Sequence, residues 1–149
     1  MKAVVQRVEK ASLFIKEKET LKFIGEIGKG LLVFVGIEQE DTTENLYFLA
    51  DKLSKLRVFE DEKGKLNFSV KDKNFEVMLI PNFTLCASLD KGRRPSFEKA
   101  ASFNKAKEYF YFLTKIFKDK EIKCREGVFG ASMIIEAKNY GPVNIILSG

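Results

Sequence analysis

Apolar and polar positions alternate from the first residues onward. Lys2 to Val8 reads as a strand and Ala11 to Lys16 as a second, with Glu9 and Lys10 as a short polar turn between them. Lys16-Glu17-Lys18-Glu19 is a charged turn, and Leu21 to Ile27 is the next strand. Gly28-Lys29-Gly30 then leads into Leu31-Leu32-Val33-Phe34-Val35-Gly36-Ile37, apolar at nearly every position. A run without alternation is expected in a strand covered on both faces. Leu46, Leu49, Ala50, Leu53 and Leu56 recur at three- and four-residue spacing, which predicts a helix capped by Asp41 or Thr42. Phe75 to Ile80 reads as a buried strand. Ser96 then caps a long helix, roughly Phe97 to Phe117, with Ala100, Ala101, Phe103, Ala106, Phe110, Leu113 and Phe117 toward the core. Ile122 to Arg125 and Val128 to Met133 begin the final strands, followed by Met133 to Ala137 and Val143 to Leu147. Early strands are joined by tight turns and later ones by helices, so antiparallel and parallel neighbours are both expected. The pattern predicts a layered α/β domain with strongly curved mixed sheets and both main helices on one side.

The 149 residues suit one domain, 1–149, with a core large enough to need no staples. Charged arginine, glutamate and lysine interrupt the first strand pattern, so no signal peptide is expected, and no apolar run is long enough to span a bilayer. Cys86 and Cys124 stand alone, which points to a reducing cytoplasm. The net charge of +5 suits a polyanionic partner such as nucleic acid and equally a merely soluble surface.

The chain contains no histidine. That removes the Ser-His-Asp and Cys-His arrangements and any imidazole base. With two separated cysteines, a zinc site is not expected either, and no cofactor is called for. Chemistry here must rest on hydroxyls, carboxylates, lysines, main-chain N–H groups or the substrate's own groups. A labile bond such as an activated ester fits that limit better than an amide does.

Four stretches are candidates for chemistry. Gly28-Lys29-Gly30 fits neither phosphate-loop spacing and reads as a hairpin turn. Asn82-Phe83-Thr84 ends a buried strand and opens a loop. Thr84 offers a hydroxyl, nearby N–H groups an oxyanion site, and Phe83 a face for a base. The alternative is that Phe83 is core and Thr84 satisfies a strand edge. Arg93 and Arg94 suit phosphates, or are plain surface charge. Asn139-Tyr140-Gly141-Pro142 separates two apolar strands. Glycine tolerates positive φ, proline lacks an N–H, and X–Pro is where a cis peptide costs least. The plain reading is a hairpin turn.

Asn82-Phe83-Thr84-Leu85 with Lys91-Gly92-Arg93-Arg94-Pro95-Ser96-Phe97 resembles the first signature of the D-aminoacyl-tRNA deacylases. Asn139-Tyr140-Gly141-Pro142-Val143 resembles their second. The opening Ala3-Val4-Val5-Gln6-Arg7-Val8, the Gly25-to-Leu31 turn and Phe129-Gly130-Ala131-Ser132-Met133 are similar too, in order, so the resemblance spans the chain. It implies a cytoplasmic homodimer that hydrolyses the ester between a D-amino acid, or glycine, and the terminal adenosine of tRNA. The family is thought to use the terminal ribose 2′-OH and main-chain groups. The resemblance implies catalysis around Asn82, Phe83 and Thr84, with a substrate site formed by Gly141, Pro142, Met133, Phe129, Ala131 and Arg7. Lys91, Arg93 and Arg94 would contact tRNA. Gly141-Pro142 is expected to be cis and to enter the partner subunit's site, with Arg7 behind it. The family's usual Ser-Gln-Phe-Thr-Leu is here Pro81-Asn82-Phe83-Thr84-Leu85, and Asn144 replaces its usual Thr. Two other readings remain: a sibling deacylase for a small L-amino acid, and a nucleic-acid-binding protein on the same fold without hydrolysis.

Overall fold

The computed structural model describes residues 1–90 and 92–149. In chain order the strands are β1 (Lys2–Glu17), β2 (Thr20–Ile27), β3 (Gly30–Gly36), β4 (Phe59–Glu60), β5 (Leu66–Phe68), β6 (Glu76–Pro81), β7 (Cys124–Glu126) and β8 (Met133–Ser148). The helices are α1 (Thr43–Lys55), α2 (Val70–Lys73) and α3 (Phe103–Asp119), with a 3-10 turn at Phe83–Cys86.

β1 is the spine. Its first half pairs antiparallel with β3, its second half with β2, and both halves pair with β8 on the other side. β6 and β7 extend the sheet from β3 as parallel neighbours, giving the order β2-β1-β3-β6-β7. The expected strands Lys2–Val8 and Ala11–Lys16 are therefore one strand, and Met133–Ala137 and Val143–Leu147 are the two ends of another. Glu9 and Lys10 interrupt the apolar pattern without ending the ladder, because they sit exposed at register shifts between Val8 and Lys10. Bulges of this kind bend a strand and raise its twist. They curve the sheet into the expected barrel-like form.

Side-chain alternation sorts the core into two layers. From β1, β3 and β6, Val5, Val33 and Leu79 face Leu46 and Leu53 of α1 and Phe110, Leu113 and Phe117 of α3. Leu32, Met78 and Ile80 point the other way, into a cluster with Val8, Leu13 and Ile27 inside the curve. β3 and β6 are thus covered on both faces, and α1 and α3 share one side, as the pattern predicts.

The later boundaries differ from expectation. α3 begins at Phe103, capped by the Ser102 hydroxyl, which accepts from the Lys105 N–H at 3.4 Å. Ser96 is not the cap, because its main chain exchanges bonds of 2.8 and 2.9 Å with Ser88. Residues 97–101 are likewise tied to the chain after β3, where Ala101 N–H donates to Ile37 O at 3.0 Å. The stretch Val128 to Ser132 is a turn rather than a strand, closed by Ala131 N–H on Val128 O. The small β4–β5 hairpin and α2 are too short to show periodicity in their charged surroundings, although Phe59 and Val70 reach the core.

Candidate active site

β6 ends at Pro81, whose missing N–H costs the ladder nothing because Asn82 N–H makes the next bond to Val35 O at 2.8 Å. The chain then tightens into the 3-10 turn. Asn82 caps it: its side-chain oxygen accepts from Thr84 N–H at 3.2 Å and from the Thr84 hydroxyl. The turn lies so close to β3 that a Cβ on Gly36 would stand 2.9 Å from Cys86 Sγ and 3.0 Å from Asn82 O. Glycine there is a packing requirement. Phe83 is 59% exposed and sets its ring edge-on to Phe97 at 5.0 Å. Its main-chain N–H has no acceptor among the described residues.

Phe83 and Asn82 border a cavity of about 510 Å³. Phe129, Ala131 and Met133 form its far side, brought there by the turn before β8, and Phe103 and Phe110 of α3 close it. Asn82 is the one polar side chain in the lining, and no lining side chain is titratable. The Thr84 hydroxyl donates to an amide oxygen, which takes up no proton near neutral pH, so Thr84 is not an activated nucleophile. The cysteines offer no substitute. Burial raises the Cys86 thiol above its ordinary value and pushes Cys124 up to about 12.

Arg7, Gly141 and Pro142 are elsewhere. The β1–β8 register jumps from Gln6↔Asn144 to Val8↔Asn139, so residues 140–143 leave the ladder opposite Arg7. The Gly141–Pro142 peptide is cis, and both residues are exposed. Across the neck of this excursion the Asn139 amide donates to Asn144 Oδ1 at 2.7 Å. Arg7 is 4% exposed and holds the excursion from beneath. Its Nε donates to Tyr140 O at 3.0 Å, its Nη1 to Val58 O at 2.8 Å, and its guanidinium lies 4.4 Å from the Tyr140 ring centre. Glu60 supplies a countercharge 3.5 Å from Nη1. Replacing Arg7 by methionine removes both donors from partly buried carbonyls and leaves this corner without its clamp. A loss of about 2–4 kcal/mol in unfolding free energy is expected, read by denaturant titration.

One chain therefore brings Asn82, Phe83, Phe129, Ala131 and Met133 to one cavity, with Thr84 beside it, and sets Arg7, Gly141 and Pro142 at another place. Arg93 and Arg94 are exposed in the loop closed by the Ser88–Ser96 bridge, next to Phe97. Neither pairs with a carboxylate among the described residues. Lys91 lies outside the described residues. By sequence alone Phe103 and Phe110 read as helix core, and nothing in the pattern shows that they also wall the cavity. Phe97, which supports Phe83, likewise reads only as the start of a helix. Their signal, an aromatic on an amphipathic stripe, is the same for both roles.

The fold and much of the sequence are shared with known proteins. The family model described as D-Tyr-tRNA(Tyr) deacylase matches residues 4–148, and the chain belongs to that family. Among its relatives are the D-aminoacyl-tRNA deacylase of Thermotoga petrophila, 46% identical over 99% of this chain and 96% of that one, and that of Aquifex aeolicus, 44% identical over 99% and 97%. A solved structure described as the c-Myc DNA unwinding element binding protein superposes with a TM-score of 0.91 at 37% identity, covering 100% of this chain and 99% of that one. Another, described as a probable eukaryotic D-amino acid tRNA deacylase, shares the fold with a TM-score of 0.78 at 14% identity, covering 98% and 97%.

Proposed function

We propose that this protein is a homodimeric, cytoplasmic hydrolase that cleaves the ester between a D-amino acid, or glycine, and the 3′-terminal adenosine of tRNA. The observation that carries this reading is the cavity itself: closed by aromatic and small side chains, bordered by Phe83 and Asn82, and free of any titratable group. Such a site suits a bond labile enough to need positioning and an oxyanion donor rather than a side-chain base. The Phe83 N–H is the donor for the oxyanion that forms when water adds to the ester carbonyl. Phe83 and Phe97 offer the adenine an exposed aromatic edge and face. The terminal ribose 2′-OH assists the attack, and the free amino acid and the tRNA 3′-OH are released.

Chiral selection falls to the partner's Gly141-Pro142. The excursion is exposed, narrow and fastened by Arg7 through Tyr140 O, which leaves the Gly141 and Pro142 carbonyls to meet the substrate ammonium. β8 pairs on one side only, with β1, and it presents Ile134, Tyr140 and Ile146 to solvent, the last 77% exposed. A long unpaired edge with apolar side chains favours association with a second copy. An L side chain would strike the inserted loop, whereas a D side chain points away and glycine has nothing to strike.

Incubation with D-tyrosyl-tRNA and L-tyrosyl-tRNA tests the reading. Release of tyrosine from the D substrate alone is expected. Cleavage of the L substrate alone would make this a sibling with the opposite preference. No release from either would leave nucleic-acid binding without hydrolysis; binding to a DNA element is what the name of the DNA unwinding element binding protein states. Arg93 and Arg94 are expected to contact phosphates near the acceptor end. Replacing both by alanine should weaken binding of all tRNAs alike and flatten the salt dependence by roughly one unit of slope for each phosphate no longer neutralised. An unchanged slope in filter binding would return them to ordinary surface.

A further inference from the structure

A second cavity of about 190 Å³ is lined by Arg7 and Tyr140, at the base of the Gly141-Pro142 excursion, and the proposed chemistry does not use it. Its lining includes Arg7, Lys29, Lys73, Glu9, Glu60 and Tyr140. Three of these are cations and two are carboxylates. Glu60 is committed to Arg7, 3.5 Å from Nη1. Neither Lys29 nor Lys73 forms an ion pair among the described residues, which leaves Glu9 as the one remaining carboxylate in the lining.

The fold positions the main chain at Lys29 and the side chains of Lys73 and Arg7. Lys29 sits in the β2–β3 turn, and its carbonyl accepts from Glu76 N–H at 3.3 Å while Gly28 N–H donates to Glu76 Oε1 at 3.1 Å. Lys73 ends α2, with its ammonium 5.3 Å from the Phe68 ring centre and 5.9 Å from that of Phe75. Aromatic faces steady a cation without neutralising it. Arg7 is buried at the back of the cavity, and its Nη2 has no acceptor among the described residues. The result is a small, polar, cationic recess whose wall includes Tyr140, the residue next to Gly141.

We infer that this recess takes a phosphodiester of the single-stranded 3′ end of tRNA, held by Lys29 and Lys73 with Arg7 behind them. The inference rests on the proposed function. If Gly141-Pro142 enters the partner's apolar cavity, the recess beside it faces the nucleotides that precede the terminal adenosine bound there. Each tRNA end is then gripped by both subunits: its ester in one, a phosphate in the other. The Gly28-Lys29-Gly30 turn lacks the spacing of a phosphate loop, and here its lysine side chain, rather than its glycine-rich backbone, is the anion-binding part.

The test measures binding of uncharged tRNA to the dimeric protein as a function of salt, so it needs no turnover. The double variant Lys29→Ala, Lys73→Ala should bind about tenfold more weakly at low salt. Its log–log salt slope should be smaller by roughly 0.7 for each phosphate no longer neutralised, the value for single strands. With tRNA trimmed of its last three nucleotides, parent and variant should bind alike. The charge-keeping pair Lys29→Arg, Lys73→Arg should restore binding. An unchanged slope, or an equal loss on the trimmed tRNA, would overturn the inference, as would absence of tRNA binding by the parent. A parent that binds tRNA with this lysine dependence but hydrolyses no D-aminoacyl ester would sink the deacylase reading and keep the phosphate site.

Discussion

A D-tyrosyl-tRNA whose terminal ribose lacks the 2′-OH is expected to be cleaved at least about a hundredfold more slowly than the natural substrate, the usual weight of one positioned proton-transfer group. The same protein with Thr84→Ala should stay within about tenfold of the parent, as suits a hydroxyl without a base. The family resemblance implies this use of the 2′-OH, and the cavity offers no side chain to compete with it. No lining side chain titrates, the Thr84 hydroxyl is bound to the Asn82 amide oxygen, and burial raises both thiols. The 2′-OH that the resemblance implies therefore meets no competing side-chain base in the lining. Single-turnover rates with the two substrates decide it. If Thr84→Ala abolished turnover while the deoxy substrate was still cleaved, Thr84 would be the nucleophile and this chemistry would be wrong.

Gly141→Ala should lower kcat/KM for D-tyrosyl-tRNA by about two orders of magnitude, the scale of a displacement of about 1 Å at a reacting centre. Gly141 has φ of +126°, a conformation that L side chains rarely adopt. A Cβ there would stand 2.7 Å from Arg7 Nη2 and 2.9 Å from Val143 Cγ2. Arg7 is buried and fastened through Nε and Nη1, so it cannot swing aside without giving up Tyr140 O or Val58 O. The excursion must therefore shift. Far-UV circular dichroism should stay that of the parent, because residues 140–143 lie outside the β1–β8 ladder. A variant with parental kcat/KM would remove the excursion from the site.

Much of this was legible in the residues. The unbroken apolar run Leu31 to Val35 announces a strand covered on both sides, and the regularly spaced leucines after Thr43 announce α1. Phe83-Thr84 and Gly141-Pro142 stand out only through the family resemblance, since by residue type alone they read as a strand edge and a hairpin turn. Strand continuity was not legible. Polar Glu9-Lys10 and Asn139-Tyr140 look like turns, yet β1 and β8 pair past both, since a bulge at an exposed position breaks the pattern and keeps the ladder. The start of α3 was hidden for a similar reason. Ser96 is a fair cap by sequence, but its backbone is spent on Ser88, a partner eight residues earlier that no periodicity reveals. The wall of the cavity was hidden because Phe103 and Phe110 meet Phe129 only in the folded chain, at 5.1 and 6.2 Å between ring centres.

The claim that each site is completed by the partner is tested most directly by mixing two crippled chains. One carries Gly141→Ala and so lacks a competent excursion. The other carries Ala131→Trp and so has a filled cavity. Each homodimer should be inactive on D-tyrosyl-tRNA. In dimers reassociated at random from equal amounts, half are mixed and each mixed dimer has one intact cavity facing one intact excursion, so about a quarter of parental activity should return. If every site were built from a single chain, the mixture would be as inactive as its parts.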